Sequence, residues 1–277
     1  MEKIGVSLHV GTLLNTPETE AQAALQKEYG GAAALLAYLR REGVCSIEVR
    51  NVREHMPVAQ SVAAIRAVHE AGLGTSVHIA FEERAGREYA ARVRTMIDEA
   101  LRGQERVVFT LHPLKNDGET AARDADWAAA LHEYDGRCRL ALENMRVLKP
   151  DAGHNRIARV AQNIRSAPEA ARGVCWDMGH YAYNIVTLGL PAETCPVRDI
   201  LGQVIHTHIH SLHHPELGTH FPLQRTNEPV KSYLAALRAA GYQGIYNIEL
   251  EPERYIRVMS PRAGMEQTVS ALKEWLE

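Results

Sequence analysis

The chain has 277 residues, and its 31 Lys+Arg against 34 Asp+Glu leave a formal charge of −3. That balance offers no broad attraction to phosphate backbones or anionic lipid, so neither a nucleic-acid partner nor a membrane surface is expected. An apolar share of 45% with 23% charged residues is ordinary for a globular protein and excludes disordered and fibrous classes.

The start, MEKIGVSLHVGTLLNTPETE, has an early acid and no convincing cleavage site, and no apolar stretch reaches the ~18 residues of a membrane span. Export and membrane insertion are therefore not expected. Cys45, Cys138, Cys175 and Cys195 lie far apart without a CxxC pair, which predicts buried free thiols and a reducing, cytoplasmic setting.

Taken in chain order, β-rich runs appear at KIGVSLHV, CSIEVRNV, GTSVHIAF, RVVFTLHP, RLALENM, GVCWDMGH, VIHTHIH and IYNIELE, beginning near residues 3, 45, 74, 106, 139, 173, 204 and 245. Between them lie helical segments such as AAALLAYLRREG, VAAIRAVHEAG and VKSYLAALRAAG, each ending at a glycine, and SALKEWLE closes the chain. Spacings of roughly 30 to 40 residues fit one strand, one helix and two loops. Eight such units predict a single (β/α)8 TIM barrel over 1–277, not a doubly wound sheet. No GxGxxG or Walker-type loop follows a strand. Two longer loops, HPLKNDGET and HHPELGTHFPLQRTNEP, follow strands, where a barrel of this kind builds its ligand site.

The strand ends carry the chemistry: His78, His112, Glu143, Asp177, His208 and Glu249. Side chains alternate along a strand, so an inward Glu143 carries Ala141 with it, Asp177 carries Cys175 and Glu249 carries Asn247, while Leu142, Trp176 and Ile248 turn to the helices. Acids gathered at one mouth repel unless a cation compensates them. Glu143, Asp177, His208 and Glu249 are accordingly the expected metal ligands, with Glu251 as the alternative to Glu249. Their oxygens and one imidazole suit Mn, Mg, Co or Zn.

In VIHTHIH, His206, His208 and His210 share a face. His208 matches the height of the acids, His206 falls a layer lower and His210 is expected near solvent. Gly179 is expected to let the chain turn so that His180 reaches back over the rim. His78, His112, His180 and His220 are candidates for further metal ligands, hence for more than one ion, or for substrate contacts. Glu48 is expected at the rim within bonding range of substrate. His9, His69 and His132 are expected to be hydrogen-bonded structural histidines, and Arg50, Lys115 and Arg225 are loop candidates for an anion.

The segments GVCSIEVRN, LALENM, VCWDMGHY, VIHTHIHS and GYQGIYNIELE, in this order and spacing, resemble the sugar phosphate isomerase/epimerase superfamily, whose xylose isomerase-like barrels include metal-dependent apurinic-site endonucleases. The resemblance implies one divalent ion on Glu143, Asp177, His208 and Glu249, with His180 on the substrate. It implies an isomerase or epimerase of a small sugar, polyol or other hydroxy-carbonyl compound, in which Glu143 and Glu249 move a proton through a metal-stabilised enediolate. A lyase or dehydratase could use the same chemistry. In the isomerase and epimerase members an acid often follows the strand-seven histidine by three positions, where this chain has Ser211. The endonuclease branch implies a multinuclear phosphodiesterase site that adds His78, His112, His180 and His220, although its DxH pair reads Gly218 and His220 here. The expected partner is a small-molecule substrate, with homo-oligomerisation left open.

Overall fold

The computed structural model of the chain describes residues 2–53, 55–80, 87–113, 118–148, 156–212, 218–225 and 229–277. Eight parallel strands, β1 (Lys3–His9), β2 (Val44–Arg53), β3 (Gly74–Ala80), β4 (Val107–Leu111), β5 (Cys138–Glu143), β6 (Arg172–Asp177), β7 (Val204–His208) and β8 (Ile245–Ile248), lie side by side in one sheet that runs from β7 through β1 to β8. The sheet closes where the Ile209 amide donates to the Asn247 carbonyl and the Glu249 amide donates to the Ile209 carbonyl. This is the (β/α)8 barrel that the repeat predicts.

Helices separate the strands because each intervening segment carries an apolar stripe and a terminator. Ala32–Arg41 buries Ala32, Leu35, Leu36 and Leu39, and Val58–Glu70 buries Val62, Ala64, Ile65 and Val68. Gly43, Gly72 and Gly241 follow their helices with φ of 84°, 74° and 84°, a left-handed conformation that glycine adopts without a Cβ clash. The sequence reading did not anticipate Glu20–Tyr29, an additional helix between β1 and the helix that leads into β2. Lys115 and parts of both long loops lie outside the described residues. Among the described residues no helix is long and apolar enough to cross a membrane.

The residues facing the helices make the main apolar core. Trp176 is fully buried against Tyr181 and Tyr233, with ring centroids 5.6 and 5.5 Å away. Barrel interiors are commonly layers of branched apolar side chains; this one is apolar only low down, where Val108, Ala141, Cys175 and Ile205 cluster. Above them Ser7, Glu48, Thr110, His206 and Asn247 are buried together.

A register shift between Val174 and Cys175 marks a bulge between β6 and β7. As a result both Ile205 and its neighbour His206 serve the interior, one in the apolar cluster and one on Glu48. Cys138 and Cys175 are buried thiols as expected, whereas Cys45, at the start of β2, is exposed and Cys195, at the edge of the main core, is only partly covered; all four are free.

Gly173 is the close-packing partner of that bulge, since a Cβ there would stand 2.5 Å from the Ile205 side chain. Gly173→Ala is expected to cost about 1–3 kcal/mol through overpacking, read as a lower Tm by calorimetry, while the more open Gly136→Ala, which meets nothing within 4 Å, leaves Tm nearly unchanged.

Candidate metal centre

The upper rung of the barrel is built by strand register. Asp177 and His208 are Cα partners, and Glu143 pairs with Cys175, so alternation turns Glu143, Asp177 and His208 to one mouth. The continuation of β8 adds Glu249. One ligand atom from each of these four lies within 4.8 Å of all the others, and all four side chains are buried. His208 Nδ1 stands 3.2 Å from Glu143 Oε2, 3.2 Å from Glu249 Oε2 and 3.9 Å from Asp177 Oδ2.

Glu48 explains which nitrogen of His208 faces the acids. Its carboxylate accepts from Ser7 Oγ (2.7 Å), Thr110 Oγ1 (3.0 Å), His206 Nε2 (2.9 Å) and His208 Nε2 (2.9 Å). A carboxylate has no proton to give, so His208 carries a proton on Nε2 and turns Nδ1 to the cluster, the nitrogen whose lone pair a cation would take in place of a proton. Burial alone would raise the pKa of Glu48, but His208 and His206 hold it well below the usual carboxylate range. Glu48 is therefore not at the rim: it lies beneath the ligands with no exposed surface and with its oxygens occupied by protein donors, so its expected contact with substrate is replaced by support of His208.

Asp177 is held from three sides. It caps the helix Met178–Thr187, accepting from the His180 amide at 2.6 Å. Its backbone amide donates to Asn144 Oδ1 and its carbonyl accepts from Asn144 Nδ2, each at 2.9 Å. His210 closes the third side. Its Nδ1 accepts from the His220 amide at 2.9 Å, so Nε2 carries the proton and donates to Asp177 at 3.1 Å. His210 is fully buried, contrary to the expectation of a solvent position, because the chain beyond β7 folds back over it.

The glycine at 179 also has a different reason from the one expected. It sits inside the first turn of the helix with an ordinary backbone, and a Cβ there would lie 1.9 Å from the His210 ring. Its role is room for an imidazole, not a turn.

The remaining histidines ring the four ligands. His78 Nε2 is 3.0 Å from Glu143 Oε2, and the part-exposed His112 is 3.6 Å from the same oxygen. His180 Nδ1 lies 3.2 Å from Asp177 Oδ2 and 3.4 Å from Glu143 Oε1, while its Nε2 is 3.2 Å from His220 Nε2. His220 sits in the left-handed region at φ 68°, a strained conformation for a non-glycine residue. Three triads, His78–Glu143–His208, His180–His210–His220 and the Glu48–His206–His208 group beneath the ligands, also have ligand atoms within 4.8 Å of one another.

Electrostatics and unmet bonding both fit a cation among the four ligands. Burial opposes ionisation of Glu143, yet His208, His112 and His180 hold it well below its ordinary value. Burial likewise opposes charge on His208, and the surrounding anions, Glu249, Glu48 and Glu143 among them, still push its pKa well above normal. Without a cation the cluster thus draws in protons. His208 Nδ1 and Glu249 Oε2 are buried and have no hydrogen-bond partner, which is the condition a divalent ion would relieve. Carboxylate oxygens with one imidazole suit such an ion.

Other expectations sort by position. Glu251 is turned to Arg50 and Arg254 rather than to the four-ligand cluster. Arg50 is at the mouth, its Nη2 3.2 Å from Glu249 Oε1, whereas Arg225 reaches Ser270 on a helix remote from it. His132 bonds the Cys138 carbonyl and His69 bonds the Ala100 backbone. His9 does not follow them: neither ring nitrogen has a partner. The sequence reading missed Asn144 and the support roles of His210 and Glu48; for Glu48 a signal was present, since the E-x-R pattern of β2 places it with Arg50 on one face, beside Ser7 and His9 of β1.

A family model described as a xylose isomerase-like TIM barrel matches residues 36–275. Among solved structures, endonuclease IV from Thermus thermophilus aligns with a TM-score of 0.57 and 18% identity over 99% of this chain and 98% of that one, a likeness of fold. The homocysteine methyltransferase MmuM from Escherichia coli, in its apo form, covers 99% of this chain and 96% of its own at 14% identity, and its TM-score of 0.36 carries no argument. No curated protein sequence matches the chain. The chain belongs to the xylose isomerase-like TIM barrel family.

Proposed function

We propose that this protein is a divalent-metal-dependent isomerase or epimerase of a small hydroxy-carbonyl compound. The observation that carries the reading is the placement of Glu143 and Glu249. They come from β5 and from the end of β8, and each sets one carboxylate oxygen 3.2 Å from the orphaned Nδ1 of His208. Glu143, Asp177, His208 and Glu249 would hold the ion, which when bound supplies Lewis-acid polarisation of the substrate's carbonyl and hydroxyl oxygens.

The chain's own groups then do the rest. One of Glu143 and Glu249 takes the proton from the carbon between those oxygens and the other delivers a proton back, as paired general base and acid. Arg50 fixes the outer oxygen of Glu249, and His180 is pinned between Asn144, Asp177 and Glu143 at the edge of the same space. Glu48 keeps His208 in the tautomer that leaves Nδ1 free.

A second reading, multinuclear phosphoester hydrolysis, is favoured by a specific observation: His78 and His112 flank Glu143 Oε2 while His180 and His220 meet at 3.2 Å, so further ions have nearby ligands. Two features count against a polynucleotide substrate. The net charge is −3, and Gly218 takes the place of the acid in the DxH pair.

Two outcomes are expected. The purified protein loaded with manganese, cobalt or zinc binds one ion tightly per chain and catalyses uptake of solvent deuterium into a member of a panel of neutral and carboxylate-bearing hydroxy-ketones, followed by NMR; several ions per chain with incision of abasic-site DNA and no deuterium uptake would establish the hydrolase instead. Glu48→Gln removes an anionic acceptor beneath His208 and is expected to lower metal affinity by about 10- to 100-fold in chelator competition, with the barrel's circular dichroism retained.

A further inference from the structure

Once an ion takes His208 Nδ1 and Glu249 Oε2, the same mouth still holds buried polar atoms without partners. Among them are both ring nitrogens of His9 and Nη1 of Arg50. The two residues are neighbours by construction. Ser7 Oγ bonds Glu48, so Ser7 faces the barrel interior, and alternation turns His9 to the same side two residues higher. His9 is the Cα partner of Arg50 across β1 and β2.

Arg50 spends its other terminal nitrogen on Glu249 Oε1 (3.2 Å) and Glu251 Oε1 (3.4 Å), which holds the guanidinium at the edge of the metal centre. Burial and then the Arg50 charge push the His9 pKa down to about 3, so the ring is neutral and presents one N–H donor and one acceptor.

Leaving such groups unpaired is unfavourable, and native interiors seldom do so. The four metal ligands do not include His9, and no protein group among the described residues bonds it. What remains is a ligand. Arg50 Nη2 is turned to Glu249 and Glu251, so Nη1 of the same guanidinium is the charged donor left without a partner beside the neutral His9 ring. A carboxylate, with its charge spread over two oxygens, matches the donors of a planar guanidinium.

We propose that His9 and Arg50 form a carboxylate subsite beside the metal centre, so that the substrate is a hydroxy-carbonyl acid and not a neutral sugar. The proposal rests on the metal-dependent reading above and narrows it. Arg50 Nη1 and the His9 N–H donate to the carboxylate, and the other His9 nitrogen accepts from the adjacent substrate hydroxyl. The ion and the subsite then grip opposite ends of one small molecule, which sets its reacting carbon between Glu143 and Glu249.

The test is calorimetric titration of the manganese-loaded protein with glycolate and with its uncharged counterpart glycolamide. Glycolate is expected to bind at least tenfold more tightly. His9→Phe is expected to lose at least fivefold of that affinity, a larger loss than glycolamide shows, with manganese content unchanged, and His9→Gln, which keeps a donor and an acceptor, to recover most of it. In the absence of ligand, His9→Phe is expected to melt at the same temperature or higher, since two unpartnered buried nitrogens are removed. Glycolate affinity equal in wild type and His9→Phe overturns the subsite, as does a lower melting point of His9→Phe with unchanged glycolate binding, which would make His9 structural. Tighter binding of inorganic phosphate than of glycolate overturns the carboxylate assignment. Failure of the wild type to take up manganese is read separately and would overturn the metal-dependent reading, with this proposal falling alongside it.

Discussion

Four carboxylates, those of Glu48, Glu143, Asp177 and Glu249, are buried inside one barrel, and how their charge is compensated decides the arrangement around them. Isolated ions in such a setting would be prohibitively unfavourable. Glu48 is compensated by protein alone, through two hydroxyls and two imidazoles. The other three are only partly compensated by histidines, and the unpartnered Nδ1 of His208 points among them. The difference between a saturated carboxylate below and undersaturated ones above separates scaffold from site.

That division runs through the whole interior. Near the floor the lining is apolar, with Ile205 seated against Gly173. A middle layer of hydrogen-bonded polar groups follows, in which Asn247 donates to Ser7 at 2.8 Å and Ser7 in turn donates to Glu48. The top layer holds the unpartnered His208 Nδ1 and Glu249 Oε2. A connected network of buried hydrogen bonds holds its geometry, and here it lies directly under the ligands and fixes the tautomer of His208 and the orientation of its ring. The same logic operates at the side of the site, where His210 orients Asp177 and Gly179 leaves space for the His210 ring.

Much of this was legible along the chain. The eight strands follow the repeat of β-rich runs, and the inward acids follow from alternation within a single strand, as with Glu143 beside Ala141 or Asp177 beside Cys175. The ranking within VIHTHIH also follows, since His206 does sit a layer beneath His208 on Glu48. Other positions could not be read that way. Glu48 looks like a rim residue in CSIEV because nothing local reports how high β2 stands against β7. His210 looks exposed until the chain after β7 folds over it. Gly179 suggests a turn, and its actual neighbour is the ring of His210, far along the chain.

What the chain determines by itself is therefore whatever depends on local period: which segments become strands, which face each side chain takes, and which residue types collect at the strand ends. What only the tertiary structure decides is height and neighbourhood around the barrel. The bond from His208 to Glu48 joins residues 160 positions apart, and the pairing of Asn247 with Ser7 spans 240. Such contacts are set by the stagger of strands on closure and by the bulge at Ile205, neither of which leaves a mark within a window of a few residues.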